Sequence, residues 1–327
     1  MTLTIISLLG GLVALFIGGE LLVRGAVGLV ERARVTPLMI GLVIVGFGTS
    51  MPELVTSVEA ALAGSPAIAW GNVVGSNIAN TLLILGGAAL LAPIAVRQSA
   101  ALRDSGMALL ASLALLAIAS VQIAGIWLGI AMVAALGAYI AYCYREERAA
   151  APASVHNAAY DKATALEMSD AQLHGNAGSW AKPVLLTLAG LVLLVVGGRF
   201  LVSAAIELAQ LAGLSETFIG LTIVAIGTSL PELVTSLVAA RKGETEVAFG
   251  NVVGSNIYNI LGIGGVTMMV APLPIPDALL PLDLGLMAIS AIAVVVAIAL
   301  AKGVGRVAGG LFVAGYGLFL AGAVMQG

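Results

Sequence analysis

The strongest constraint on this chain is a segment that it carries twice, GTSMPELVTS at 48–57 and GTSLPELVTS at 227–236. Each copy sets a glutamate directly after a proline inside a long apolar run. Proline has no N–H for the carbonyl four residues back and its ring clashes with that carbonyl. A helix is therefore predicted to break near Gly48 and Thr49, and again near Gly227 and Thr228. The freed carbonyls then lie beside a carboxylate. Non-helical backbone at membrane depth is tolerated only where protein or a water-filled cavity surrounds it, and the ends of broken helices are where transporters hold ions. Glu53 and Glu232 are read on this basis as two halves of one cation site.

The apolar runs are long enough to span a bilayer. Of 327 residues, 60% are hydrophobic and 9% charged, and the mean hydropathy is +1.11, which excludes an ordinary soluble domain. A hydrocarbon core of about 30 Å takes about 20 apolar residues per helix. Ten candidate spans follow, at 3–30, 37–63, 67–91, 102–120, 123–144, 183–212, 216–240, 246–271, 279–301 and 305–325. The expected fold is an all-α polytopic membrane protein whose surroundings are the lipid bilayer, with no nucleic-acid partner and no obligatory protein partner. Cys143 is the single cysteine, so no intrachain disulfide can form and it reads as a small packing residue. The first apolar run lacks a basic start and continues past Glu20 and Arg24, so it is expected to be a retained span and not a cleaved signal peptide.

One long polar segment, 145–182, divides the chain into 1–144, a linker, and 183–327. It holds His156 and His174, which read as surface residues. Twelve of the 14 lysines and arginines lie outside the spans or at their very ends, and all twelve belong to one set of loops with this linker: Arg32, Arg34, Arg97, Arg103, Arg145, Arg148, Lys162, Lys182, Arg241, Lys242, Lys302 and Arg306. The positive-inside rule then puts the linker in the cytoplasm and both termini outside it, in a plasma (inner) membrane. On that orientation Trp70 and Trp127 are expected at the outer interface, and Trp180, Tyr142 and Tyr144 at the inner one.

The two halves are copies of one unit. Residues 41–63 match 220–242 at 15 of 23 positions and 71–86 match 250–265 at 12 of 16, both at an offset of 179. Apolar bias alone does not produce GNVVGSN twice in register. Five spans per copy is an odd number, so the second copy must lie inverted in the membrane. Ten transmembrane helices as two inverted five-helix repeats, with broken helices at the centre, place a binding site at the repeat interface near the midplane.

In the first copy Thr49, Ser50 and Glu53 share a helix face, and Asn72, Ser76 and Asn80 form a stripe on the next span. The second copy supplies Thr228, Ser229 and Glu232, then Asn251, Ser255 and Asn259. Any one Ser, Thr or Asn in a membrane helix is first read as packing or helix bridging. Two intramembrane glutamates in related broken helices are read as functional. Every candidate ligand is an oxygen donor with no Cys or His among them, which argues for hard cations such as Ca2+, Na+ or H+ over zinc or copper. Two ionised carboxylates at the midplane are costly without cations or protons, so access should change only with the site loaded. Coupled exchange follows from that penalty.

Glu20 and Arg24 are read as an intramembrane ion pair. A sharper alternative pairs Glu20 with Arg199, which holds the equivalent repeat position. Glu59, Glu207 and Glu216 bound outer loops and read as solvated. An intramembrane protease would need Ser with His or Lys, paired aspartates or HExxH within the bilayer. Neither histidine lies in a span and every aspartate is in a loop or at a span end, so no enzyme is expected. A passive channel is the other class. Flux without a countertransported ion would mark it.

The pairs GTSMPE with GNVVGSN and GTSLPE with GNVVGSN resemble the α-repeats of the sodium/calcium exchanger family, in the Ca2+:cation antiporter superfamily, of the prokaryotic type. The resemblance spans essentially the whole chain. It implies ten helices, with the second, third, seventh and eighth forming the sites for Na+ and Ca2+ and the first and sixth sliding against them. It implies ion ligands at Thr49, Ser50, Glu53, Ser76, Asn80, Thr228, Ser229, Glu232, Ser255 and Asn259, and carbonyls at Gly46 and Ala225. It implies a secondary antiporter that exchanges Na+ for Ca2+ by alternating access, extrudes Ca2+, and uses no cofactor. Characterised exchangers often carry an aspartate at one of the positions matching Asn80 and Asn259, whereas here both are Asn. That departure leaves proton-coupled exchange on the same scaffold open beside Na+ coupling.

Overall fold

The structure, a computed structural model, describes residues 2–33, 46–150, 180–213, 216–241, 243 and 245–326. The segment 34–45 at the start of the second predicted span, most of the linker with its two histidines, and the side chains of Glu20, Arg24 and Glu216 lie outside the described residues. Helix α1 covers Thr2–Ala33, α2 Gly46–Thr49 and α3 Met51–Leu62. They are followed by α4 at Pro66–Leu91, α5 at Gln98–Ser120 and α6 at Ile126–Ala150. The second half begins with α7 at Ala181–Ala212, α8 at 216–228 and α9 at Leu230–Arg241. It ends with α10 at Thr245–Val270, α11 at Leu282–Ala301 and α12 at Arg306–Gln326.

Among the described residues seven helices are long and apolar enough to cross a membrane, or eight if α9 and the end of α8, bent by 51°, count as one broken span. The two most buried of the seven are α4 and α10, which carry the GNVVGSN copies. The other five turn apolar side chains such as Leu110, Leu185, Leu300 and Leu318 outward, as a lipid-facing surface requires.

Glycines set the closest helix contacts. Gly75 of α4 lies so near α8 that an added Cβ would stand 2.6 Å from the Leu221 carbonyl oxygen and 2.9 Å from the Ala225 Cβ. Gly11 and Gly197 likewise let α1 and α7 cross, each lying where a Cβ would meet the other's carbonyl at 2.9 Å. Close backbone approach through small residues is the usual route to helix association in lipid. Gly75→Ala is accordingly expected to lower stability by about 1–3 kcal/mol through overpacking. Gly106→Ala, with nothing within 4 Å, should leave it unchanged. Thermal melts in detergent check both.

The structure departs from the sequence reading in four places. The all-helical expectation misses a two-stranded antiparallel pairing of β1, Ile94–Ala95, with β2, Gly303–Val304. Helix α6 runs to Ala150, past the expected linker start at 145. Trp70 is 1% exposed and packs inside the protein instead of facing outward, because Gly264 leaves room for its indole, 3.1 Å from where a Cβ would stand. Trp127 and Trp180 are exposed. Glu59 is not simply solvated: its Oε1 accepts from Arg199 Nε at 3.0 Å, which ties α7 to α3. Cys143 is fully buried, in keeping with a packing role.

Candidate ion site

Helix α3 follows a break at Ser50 (φ −82°, ψ 3°), and α9 follows one at Ser229 (φ −84°, ψ 8°). Both breaks come one residue beyond the expected pair. Pro52 then falls in the first turn of α3, where the N–H it lacks would have had no helical partner. Glu53 and Glu232 sit in the first turns of α3 and α9, where the positive end of the helix dipole favours an anion.

The two breaks are laced together. Ser50 Oγ donates to Glu232 Oε1 at 3.2 Å, and Ser229 Oγ donates to Glu53 Oε1 at 2.9 Å. Thr49 Oγ1 reaches Asn251 Oδ1 at 3.3 Å, and Thr228 Oγ1 reaches Asn72 Oδ1 at 3.1 Å. Every one of these contacts recurs at its counterpart under the offset of 179. Ser255 Oγ also donates to Glu232 Oε1 at 3.4 Å, whereas Ser76 Oγ donates to Asn72 Oδ1 at 3.4 Å.

Both glutamates are 0% exposed. Each keeps its Oε2 buried with no hydrogen-bond partner, as do the Asn80 Oδ1 and both amide atoms of Asn259. Among the described residues no cation pairs with either glutamate. A buried carboxylate without a partner costs several kcal/mol, and a cation held by oxygens removes that cost. All ten predicted ligands are buried. Eight of them fall into two matching hydrogen-bonded groups, Thr49, Ser50 and Ser255 with Glu232 and Asn251, and Thr228, Ser229 and Ser76 with Glu53 and Asn72. Asn80 and Asn259 bond to neither. They lie on π-helical turns, Ala79–Leu85 and Tyr258–Gly264, a form of helix frequent at functional sites. Of the two expected carbonyls, Ala225 O is engaged by Ser229 N at 3.1 Å.

Sequence reasoning singled out Asn72 and Asn251 but missed the partners they and Asn80 meet, Ser57, Ser236, Asn256 and Thr81. Asn72 Nδ2 donates to Ser57 Oγ and Asn251 Nδ2 to Ser236 Oγ, each at 2.9 Å, and the same amides reach the Glu53 and Glu232 carbonyls at 3.2 and 3.3 Å. Asn72 and Asn251 thus brace the glutamate helices. Asn256 donates to Thr81 Oγ1 at 2.9 Å and accepts from Asn80 Nδ2 at 3.1 Å. The signal was present in part, since Ser57, Ser236 and Asn256 all sit inside the repeated motifs.

Comparison with known proteins fits this geometry. The family model described as sodium/calcium exchanger protein matches residues 3–145 and 182–325. The chain belongs to the sodium/calcium exchanger family. The chain is similar to the sodium/calcium exchanger MaX1 of Methanosarcina acetivorans, 32% identical over 300 residues, covering 84% of this chain and 85% of that protein. The inner membrane protein YrbG of Escherichia coli is 34% identical over 278 residues, with 83% and 81% covered. The solved structure of the sodium-calcium exchanger NCX_Mj in 10 mM Na+ and zero Ca2+ superposes with a TM-score of 0.68 at 28% identity, covering 98% of each chain. The chain is thus an integral membrane antiporter of an exchanger family and not an enzyme.

Proposed function

We propose that this exchanger moves Ca2+ against Na+ by alternating access, extruding Ca2+ from the cytoplasm, through a site built on Glu53 and Glu232. The observation that carries the proposal is the crossed pair of contacts, Ser50 to Glu232 and Ser229 to Glu53, which sets each buried carboxylate against the helix break of the other copy. Thr49, Ser76, Asn80, Thr228, Ser255 and Asn259 complete the oxygen set. The names of MaX1 and NCX_Mj support Na+ and Ca2+ as the transported ions.

The broader architecture belongs to the same proposal. Ten spans in two inverted repeats, 1–144 and 183–327, flank a cytoplasmic linker at 145–182, with both termini outside. The charge pattern of the loops and the offset of 179 support it, and YrbG is named as an inner membrane protein. One Ca2+, two Na+ or two protons each offset two carboxylates. Competition for the same oxygens couples their movements.

Asparagine at both 80 and 259 leaves two carboxylates in the proposed ligand set, a charge that two protons meet as well as two Na+. Proton coupling is therefore the second reading. Proteoliposomes loaded with Na+ and diluted into Na+-free medium should take up Ca2+, while a matched set with only a pH gradient should not. Uptake driven by the pH gradient alone would instead assign proton coupling. No uptake in either set would remove Ca2+ as the substrate.

A further inference from the structure

The two asparagines of the candidate site are held differently. Asn80 Nδ2 donates to Asn256 Oδ1 at 3.1 Å, and Asn256 Nδ2 donates to Thr81 Oγ1 at 2.9 Å. The Asn80 amide nitrogen is thus turned onto α10 while its Oδ1 stays buried and unpartnered. At the equivalent positions of the second copy this relay is missing. Asn77, the counterpart of Asn256, donates instead to the Val73 carbonyl of its own helix at 2.7 Å, and Ile260 stands in the place of Thr81. Neither amide atom of Asn259 has a hydrogen-bond partner.

An asparagine offers a cation its oxygen and repels it with its NH2 face, so its usefulness as a ligand depends on what receives the NH2. Buried partners behind a ligand typically change metal affinity 10- to 100-fold when removed. We propose that Asn256 is a positioning residue for ion binding, fixing Asn80 with its oxygen presented, and that Asn259 is left free to turn. The inference rests on the reading of Glu53, Glu232 and Asn80 as one cation site. It makes the two otherwise matched halves unequal at one ligand pair.

The test measures Ca2+-dependent thermal stabilisation of the purified full-length protein in Na+-free buffer. Asn256→Leu and Asn256→Ala are both made, so that a variant that fails to fold is replaced by the other. Either should weaken Ca2+ binding by about tenfold or more. Asn77→Leu, the same change in the same motif, should bind as the unsubstituted protein does. In an Asn80→Ala background the Asn256 substitution should add nothing, since its effect runs through Asn80. Normal binding in the Asn256 variants, equal losses at Asn77 and Asn256, or an additive loss in the double variant each overturn the proposal. Glu53→Gln separates the two levels. If it loses Ca2+ while the Asn256 variants bind normally, only the positioning role falls; if it binds Ca2+ unchanged, the site itself is misassigned.

Discussion

Exchange through the Glu53→Gln variant is expected to fall by about 100-fold or more, because taking the carboxylate from a buried cation at the proposed site costs about 3–5 kcal/mol. Glutamine keeps the side-chain shape and an oxygen to accept from Ser229, so the helix break and its crossed contact survive and only the charge is removed. Glu232→Gln should fail equally, since its Oε1 is held by Ser50 in the reciprocal way. The check is Na+-driven Ca2+ uptake beside membrane insertion and a melting curve. Near-normal flux in either variant rejects a site shared by the two carboxylates.

The second large effect concerns charge at position 259. On the proposed reading one Ca2+ or two Na+ each neutralise the two carboxylates, so the native cycle is expected to move no net charge and to ignore the membrane potential. Asn259→Asp adds a third carboxylate where the native amide makes no hydrogen bond, so it breaks none. Ca2+ should bind more tightly and leave the site with one negative charge, whereas three Na+ neutralise it, so that three Na+ exchange for one Ca2+. One net charge per cycle is worth about 2.3 kcal/mol, or about 50-fold in accumulation ratio, per 100 mV. Ca2+ uptake at imposed potentials should therefore be flat in the native protein and steep in the variant. The same voltage response in both would rule out charge count as the determinant of stoichiometry.

The centre of the fold was the most legible part of the sequence, because proline and buried carboxylates have few physical outlets. PEL after GTS forecast a helix break to within a residue or two, and the structure puts it at Ser50 and Ser229. What stayed hidden depends on how helices rotate against one another. Asn80 and Asn256 are 176 positions apart, and the sequence spacing cannot say that their amides meet while those of Asn77 and Asn259 do not. Trp70 looked interfacial because its position along the span is near an end, yet the space that receives it is made by Gly264, far away in sequence. The Arg199–Glu59 contact was likewise out of reach. Periodicity placed each of those charges near a membrane face or within a span, without saying which neighbour it would find.

The short β1–β2 joint bears on how the chain tolerates sequence drift. Ile94–Ala95 and Gly303–Val304 are held by main-chain bonds, so the connections α4–α5 and α11–α12 are fastened by groups that every amino acid except proline supplies in full. Most replacements in these loops therefore leave the fastening intact. Gly303 is the exception, because a Cβ there would run into the Ile94 carbonyl oxygen. In its main-chain fastening the joint is vulnerable to substitution chiefly through the one atom that glycine lacks at 303, while Ile94 and Val304, each 1% exposed, are held by the core they pack into.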